Sequence, residues 1–95
     1  MKTTIIYVER NTFEDKKGNA VSYCKFGCLE PVEKNDNKVG CKVQYFTTKK
    51  ENYDAIVEIY KKGASVNISF EYVEVIDNGK TLYRKKPTQI EDIKL

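Results

Sequence analysis

Residues 48–63, with the sequence TKKENYDAIVEIYKKG, are the stretch in which the spacing of apolar residues changes from that of a strand to that of a helix. The apolar side chains stand at positions i, i+3, i+4 and i+7 and so share one helical face: they are Tyr53, Ile56, Val57 and Tyr60. This spacing predicts a single amphipathic helix of about three turns. We expect Tyr53 and Tyr60, like Phe70 further along the chain, to lie in the core.

Both ends of this helix carry recognisable signals. Thr48 and Glu51 have the spacing of a capping box, in which the two side chains bond to free amides at a helix start. Gly63 stands where a helix commonly ends in a left-handed residue. The sequence therefore predicts a helix that begins after Thr48 and ends at Gly63.

Alternating apolar and polar residues on both sides of the helix predict five strands. Three precede it, at residues 2–10, 20–29 and 41–47, and two follow it, the fourth beginning at Val66 and the fifth covering 81–86. Turn-forming residues separate them at 15–19, 33–40 and 77–80, the last with the Asn78-Gly79 pair typical of a type I′ turn. Pro31 should end the second strand, and Pro87 should confine the fifth to a sheet edge or a strand end.

The fourth strand changes phase along its length. Its apolar positions shift by one residue after Tyr72, from the phase of Ile68 and Phe70 to that of Val73 and Val75. A β-bulge after Tyr72 would produce such a slip where a barrel strand bends.

The predicted element order is strand, strand, strand, helix, strand, strand. This is the order of the OB-fold, a five-stranded Greek-key barrel. We therefore predict a mostly β protein with one α-helix between strands 3 and 4. It should form a single domain over residues 1–95, with 88–95 as a short C-terminal extension. An α+β sandwich with the same order is the alternative.

The composition is that of a folded chain without catalytic or metal-binding machinery. The 95 residues are 40% hydrophobic and include no histidine, so the commonest general base and metal ligand is missing. Cys24 and Cys28 lie about 13 Å apart along one predicted strand, too far for a shared metal ion. An odd number of cysteines also argues against a disulfide framework. We expect no enzyme activity, no cofactor and no metal.

No apolar run in the sequence approaches the length of a bilayer span, and Glu9 interrupts the N-terminal apolar segment too early for a signal peptide. We therefore expect a cytoplasmic protein with no membrane partner.

The basic residues are clustered although the net charge is only +3. Lysine pairs stand at 16–17, 49–50 and 61–62, and residues 80–86 contain four cations and no acid. A local positive surface of this kind suits phosphate binding, whereas a solvated surface is the plainer interpretation of each pair.

Alternation assigns faces to the second and third strands. On the second strand, the inward residues are Cys24, Phe26 and Cys28, and the outward residues include Tyr23 and Lys25. On the third strand, the inward residues are Cys41, Val43 and Tyr45, and the outward residues are Lys42, Gln44 and Phe46. Single-strand binders combine rings that stack on bases with cations that follow the phosphates. Tyr23 and Phe46 are the candidate rings, with core packing as the alternative for each.

The chain resembles the small OB-fold single-stranded-DNA-binding proteins of bacteriophages and mobile elements. The residues that carry the resemblance are the long first hairpin through 13–19, the second strand with Tyr23, Lys25 and Phe26, and the closing hairpin at Asn78-Gly79 followed by Tyr83-Arg84-Lys85. The resemblance implies a protein that coats single strands in replication or recombination, that is often a homodimer, and that meets replication proteins. The larger bacterial members of that family have a long acidic tail, whereas residues 90–93 here are Ile-Glu-Asp-Ile, so we do not expect recruitment of partners through such a tail.

We therefore expect single-stranded DNA binding without sequence preference, with RNA as an alternative ligand. The expected contact residues are Lys16, Lys17, Tyr23, Lys25, Lys42, Gln44, Phe46, Lys80, Tyr83, Arg84 and Lys85. The rival hypothesis is a protein-interaction module of a phage or mobile element that binds a host or replication protein, because OB barrels serve both purposes.

Overall fold

The computed structural model describes residues 1–31 and 37–95 and shows a mostly β protein with one α-helix in that part of the chain. Its strands are β1 (Lys2–Thr3), β2 (Ile5–Glu14), β3 (Ala20–Pro31), β4 (Cys41–Lys49), β5 (Val66–Asp77), β6 (Lys80–Ile90) and β7 (Ile93–Lys94). A 3-10 turn at Lys50–Asn52 leads into helix α1, Tyr53–Lys62. Of the predicted connection at 33–40, residues 33–36 lie outside the described residues.

The strands form two antiparallel sheets. One has the order β1-β5-β6-β7 and the other the order β2-β3-β4. Residues 1–5 connect them: the Met1 carbonyl accepts a hydrogen bond from the Ile68 amide at 2.8 Å, and the Thr4 carbonyl accepts one from the Leu29 amide at 3.2 Å. The predicted first strand is therefore divided between the two sheets at Thr4.

The predicted five-stranded barrel is not confirmed. Among the described residues, no ladder joins β4 to β6, so the two sheets do not close into a barrel. The division at Thr4 and the short β7 also raise the number of strands in the described part of the chain to seven. In a closed barrel β4 and β6 would be hydrogen-bonded to each other, whereas here an open space separates them.

The predicted hairpin between the first two long strands is confirmed. β2 pairs with β3 from Ile5↔Cys28 to Glu14↔Ala20. In the turn, Asp15 Oδ1 accepts hydrogen bonds from the amides of Lys17 and Asn19, each at 2.9 Å. The side chain of Asp15 thus replaces backbone partners in the turn, as is usual for this residue type.

The start of the helix differs from the prediction and its end agrees with it. Thr48 belongs to β4, where its Oγ1 accepts a hydrogen bond from Asn52 Nδ2 at 3.0 Å, and no side-chain cap bonds to the first helical amides. The capping-box prediction is therefore wrong, because strand pairing with β3 holds residue 48 in extended conformation. Gly63 does end the helix, with φ +64° and its amide bonded to the Ile59 and Tyr60 carbonyls.

The hydrophobic core lies between the two sheets and the helix. Its fully buried side chains include Cys24, Phe26 and Cys28, which confirms the inward face predicted for this strand. The other buried apolar residues are Ile5, Phe46, Ile56, Val66, Ile68 and Ile90, and Tyr53 and Phe70 pack against them. Tyr60 is half exposed, so its predicted core position is wrong: the helix packs against the core through Tyr53, Ile56 and Ile59.

The hairpin of β5 and β6 extends beyond this core. Residues 71–86, here called the arm, form a ladder only with each other among the described residues. They turn at Asn78-Gly79, where both φ angles are positive as in a type I′ turn. The register shift lies between Ser69 and Phe70, opposite Pro87, and no shift follows Tyr72. The bulge predicted after Tyr72 is thus misplaced. Val73 and Val75 lie on the opposite face of the strand from Phe70 and line the space beside β4, so the apolar pattern shifts without a bulge there. Pro87 lies within β6 rather than at its end, at the irregular point that tolerates proline.

The last residues of the chain are part of the packed structure. Residues 88–90 complete β6, and β7 pairs with them through Gln89↔Lys94 and Ile90↔Ile93. Ile90 is fully buried and Leu95 packs against the core.

Candidate functional site

The register of β3 with β4 decides which β4 side chains face the core. Phe46 lies opposite Phe26 and Gln44 lies opposite Cys28, so both point to the side of the sheet that carries the core. Phe46 is only 8% exposed, and its ring centroid lies 5.8 Å from that of Phe26 and 5.2 Å from that of Phe70. The predicted outward orientation of Phe46 and Gln44 is therefore wrong. Both faces of β4 carry apolar residues, so alternation alone did not identify the buried one.

The exposed ring on β4 is that of Tyr45, which sequence reasoning had placed in the core together with Val43 and Cys41. All three residues are exposed, and Tyr45 is 52% exposed. Its ring lies over Gly27, where an added Cβ would stand 2.9 Å from Tyr45 Cε1. A glycine inside a strand commonly marks such a close approach. Gly27 is therefore the signal that could have identified Tyr45.

Tyr45 is held by contacts on two sides. Its ring makes a perpendicular contact with Tyr7, with the centroids 5.8 Å apart, and Lys25 Nζ lies 4.9 Å from its centroid. Tyr7 is fixed in turn by a hydrogen bond from its Oη to Glu9 Oε2 at 2.8 Å, which raises the pKa of the Tyr7 phenol. The result is a positioned aromatic ring with a cation beside it on the outer surface of the sheet.

An open groove separates this surface from the arm. It has a volume of about 480 Å³. One wall comes from β3 and β4 and the other from the arm and the adjoining part of β6; the lining residues are Lys25, Tyr45, Phe46, Thr47, Val73, Val75, Arg84, Lys85, Lys86 and Pro87. The groove thus unites segments that are distant in sequence, and it occupies the opening between β4 and β6.

The groove is positively charged. Lys25, Arg84, Lys85 and Lys86 line it, and no carboxylate does so among the described residues. Lys85 Nζ lies 4.2 Å from the Phe70 ring centroid, which places its ammonium group at the edge of the core. Glu71 stands opposite Lys86 across the arm, yet none of the four cations forms an ion pair with a carboxylate in residues 1–31 and 37–95. Their charge is therefore available to a ligand.

The predicted site residues divide into those in the groove and those elsewhere. Lys25, Phe46, Arg84 and Lys85 line the groove. Tyr23 is half-buried on the same outer surface as Lys25, with its ring 5.9 Å from that of Phe13. The remaining predicted residues lie outside the groove: Lys16 and Lys17 in the β2–β3 turn, Lys42 near the start of β4, Gln44 on the inner face, Lys80 beside the arm's turn, and Tyr83 on the arm's far face. Sequence reasoning missed Tyr45, Thr47 and Lys86.

The thiols offer no reactive centre in this groove. Cys24 and Cys28 are fully buried, and burial raises the pKa of each thiol. Cys41 is exposed at the start of β4 and does not line the groove. Within the described residues, no group of three side chains is placed to hold a metal ion. The groove is therefore equipped for binding through charge and ring surface.

The helix described in this structure is too short to cross a membrane. Comparisons with protein-family models, with curated protein sequences and with solved structures give no match. The function of the chain is therefore inferred from the residues of the groove.

Proposed function

We propose that the groove between β4 and the arm binds single-stranded nucleic acid without sequence preference. The observation that carries this proposal is a groove lined by a positioned, half-exposed tyrosine and by four cations that have no carboxylate partner among the described residues. Cations along a groove hold successive phosphates, and an exposed ring stacks on any base because every base has a π-face. In the single-stranded DNA that is exposed during replication or recombination, both the phosphates and the unpaired bases are accessible.

Each wall of the groove contributes a different part of the interaction. Arg84 and Lys86, from the arm, would contact phosphates, and Tyr45, from β4, would stack on a base. Lys25 would leave the Tyr45 ring, where it interacts weakly, for a phosphate oxygen, because a charge-assisted hydrogen bond is stronger than a cation–π contact at the surface. Tyr23 extends the aromatic surface along β3.

The same proposal includes an OB-type description of the fold. Four features support an open Greek-key arrangement: the division of the first strand between two sheets, the three-strand meander, the helix and the closing hairpin. In that arrangement the gap between β4 and β6 is the binding groove.

The test is a fluorescence-anisotropy titration of the whole chain with labelled oligo-dT and with a duplex of equal length. We expect saturable binding to oligo-dT and weaker binding to the duplex, since paired bases cannot stack on Tyr45. Equal affinity for the two, or no binding of oligo-dT at low salt, would contradict the proposal. An oligo-U titration distinguishes DNA from RNA preference.

A protein-interaction module is the second candidate, favoured by the far face of the arm. Tyr72, Ile76 and Tyr83 lie on that face and are 72%, 76% and 69% exposed. An apolar cluster of this kind on a two-stranded hairpin is unusual in a monomer and is typical of a contact surface. If oligo-dT does not bind, this face becomes the leading candidate for function.

A further inference from the structure

A second polar pocket lies on the other side of the sheet from the Tyr45 surface. Arg10, Asn11, Thr12, Ser22 and Lys50 line it, and its volume is about 380 Å³. Arg10 pairs with Cys24 and Thr12 pairs with Ser22, which places these side chains on the sheet face that carries the core. Tyr23 and Lys25 occupy the opposite face. The pocket shares no residue with the groove.

The pocket has two charged groups, of which Arg10 is held by a ring contact, and both lack a carboxylate partner among the described residues. The Arg10 guanidinium carbon lies 4.8 Å from the Tyr53 ring centroid, so the first residue of α1 holds it in place. Lys50 contributes a second cation from the 3-10 turn. Neither cation pairs with a carboxylate in the part of the chain that the structure describes, and no carboxylate lines the pocket there.

The neutral groups of the pocket also offer donors. Thr12 Oγ1 and Ser22 Oγ lie 2.9 Å apart, so one hydroxyl donates to the other and the acceptor keeps its own proton to donate elsewhere. Asn11 pairs with Tyr23, so its side chain lies on the opposite sheet face and is not counted among these donors. Arg10, Lys50 and the hydroxyl pair of Thr12 and Ser22 can therefore donate hydrogen bonds, and two of these residues carry positive charge.

We propose that this pocket binds a tetrahedral oxyanion of the phosphate class. A guanidinium group offers paired N–H donors that match two phosphate oxygens, and the ammonium and hydroxyl groups can bond to the remaining ones. The phosphate can belong to a nucleic-acid backbone or be a free ion. This binding does not depend on the function proposed for the groove, because the two sites have separate residues.

The test is a titration of the whole ¹⁵N-labelled chain with inorganic phosphate at constant ionic strength, followed by NMR. We expect saturable amide shifts centred on residues 10–12, 22 and 50. Arg10→Gln and Lys50→Gln should each weaken phosphate binding by roughly tenfold, since each removes a charged hydrogen-bonding group. Lys94→Gln, an exposed change on β7, is the matched control and should leave the titration unchanged.

Thermal melts of all three variants distinguish loss of the site from loss of the fold. Arg10 and Lys50 lie on different elements, so if one substitution unfolds the protein the other still tests the site. Phosphate shifts spread evenly over the surface lysines, or an affinity unaltered in both folded variants, would overturn the proposal.

Oligonucleotides distinguish the two sources of phosphate. If the pocket takes a backbone phosphate, Arg10→Gln and Lys50→Gln should also weaken binding of long oligo-dT. If it takes the free ion, oligo-dT affinity should stay at the parental value while phosphate binding is lost, and this result also supports the site. Failure of the groove proposal is recognised separately, because oligo-dT would then not bind to the parent chain while phosphate still would.

Discussion

At the scale of single residues, the neighbours Tyr45 and Phe46 have opposite environments. Their backbones are adjacent, yet pairing of β4 with β3 directs one ring outward and the other into the core. Gly27 makes this possible for Tyr45, because its missing side chain leaves room for the ring. A one-residue change in register would exchange the two rings, since successive residues of a strand point to opposite faces.

We predict that Tyr45→Ala and Phe46→Ala will fail in different ways. Loss of the Tyr45 ring should cost about 1–3 kcal/mol of oligo-dT affinity and leave the salt dependence unchanged, because stacking releases no counterions. Loss of the Phe46 ring should cost about 3–5 kcal/mol of folding stability through the cavity it leaves. Anisotropy titrations and urea unfolding of both variants measure the two effects. Tyr45→Phe is the control that keeps the ring, and a stability loss from Tyr45→Ala as large as that from Phe46→Ala would contradict the assignment.

At the scale of elements, the arm supplies one wall of the groove with side chains from both of its faces. Val73, Arg84 and Lys86 share one face. Lys85 pairs with Tyr72 and lines the groove from the face that also carries Tyr83, although neither tyrosine lines the groove. Consecutive β6 residues therefore have different roles although they belong to one basic run in the sequence. The tight turn at Asn78-Gly79 fixes the register that aligns these faces.

We predict that two cations of β6 differ in their effect on the salt dependence of oligo-dT binding. Arg84 lines the groove, so Arg84→Gln should reduce the slope of log affinity against log salt by roughly 0.7, the value for one lost single-strand phosphate contact. Lys80 lies on the same strand outside the groove and is the matched control, for which Lys80→Gln should keep the parental slope. Affinities measured at four or more salt concentrations give the slopes. A slope reduced equally by both changes would mean that the whole arm, rather than its groove face, attracts the strand.

At the scale of the whole molecule, the core includes two thiols whose ionisation is linked to folding. Cys24 and Cys28 are fully buried beside Phe26, and burial raises the pKa of both. In the unfolded chain both thiols regain their ordinary pKa and release protons at a lower pH. Unfolding in alkaline solution is therefore accompanied by proton release.

We predict that the free energy of unfolding decreases as the pH rises above the ordinary thiol pKa of about 8.5. Below that value both states keep the thiol protons, and the full contribution to stability is present. Above it the unfolded state loses protons that the folded state keeps, so the unfolded state is favoured. Urea unfolding between about pH 7 and 9.5 measures the decrease. The double variant with Cys24→Ala and Cys28→Ala should show a smaller decrease in the free energy of unfolding. If the parent and the double variant lose the same free energy over this pH range, other groups cause the effect.

The sequence by itself determined the elements of this protein: the strands, the helix with its end at Gly63, the two hairpin turns and the inward face of β3. These follow from local periodicity and from residues with special backbone preferences, which act over a few positions. The tertiary structure alone decided the face of β4, the division of the first strand, the open groove and the placement of Lys25 and Arg84 in that groove. Cross-strand register and sheet closure depend on contacts between distant residues, and both faces of β4 are apolar enough to be buried. Local pattern therefore could not choose between Tyr45 and Phe46, and pairing with Phe26 and Gly27 did.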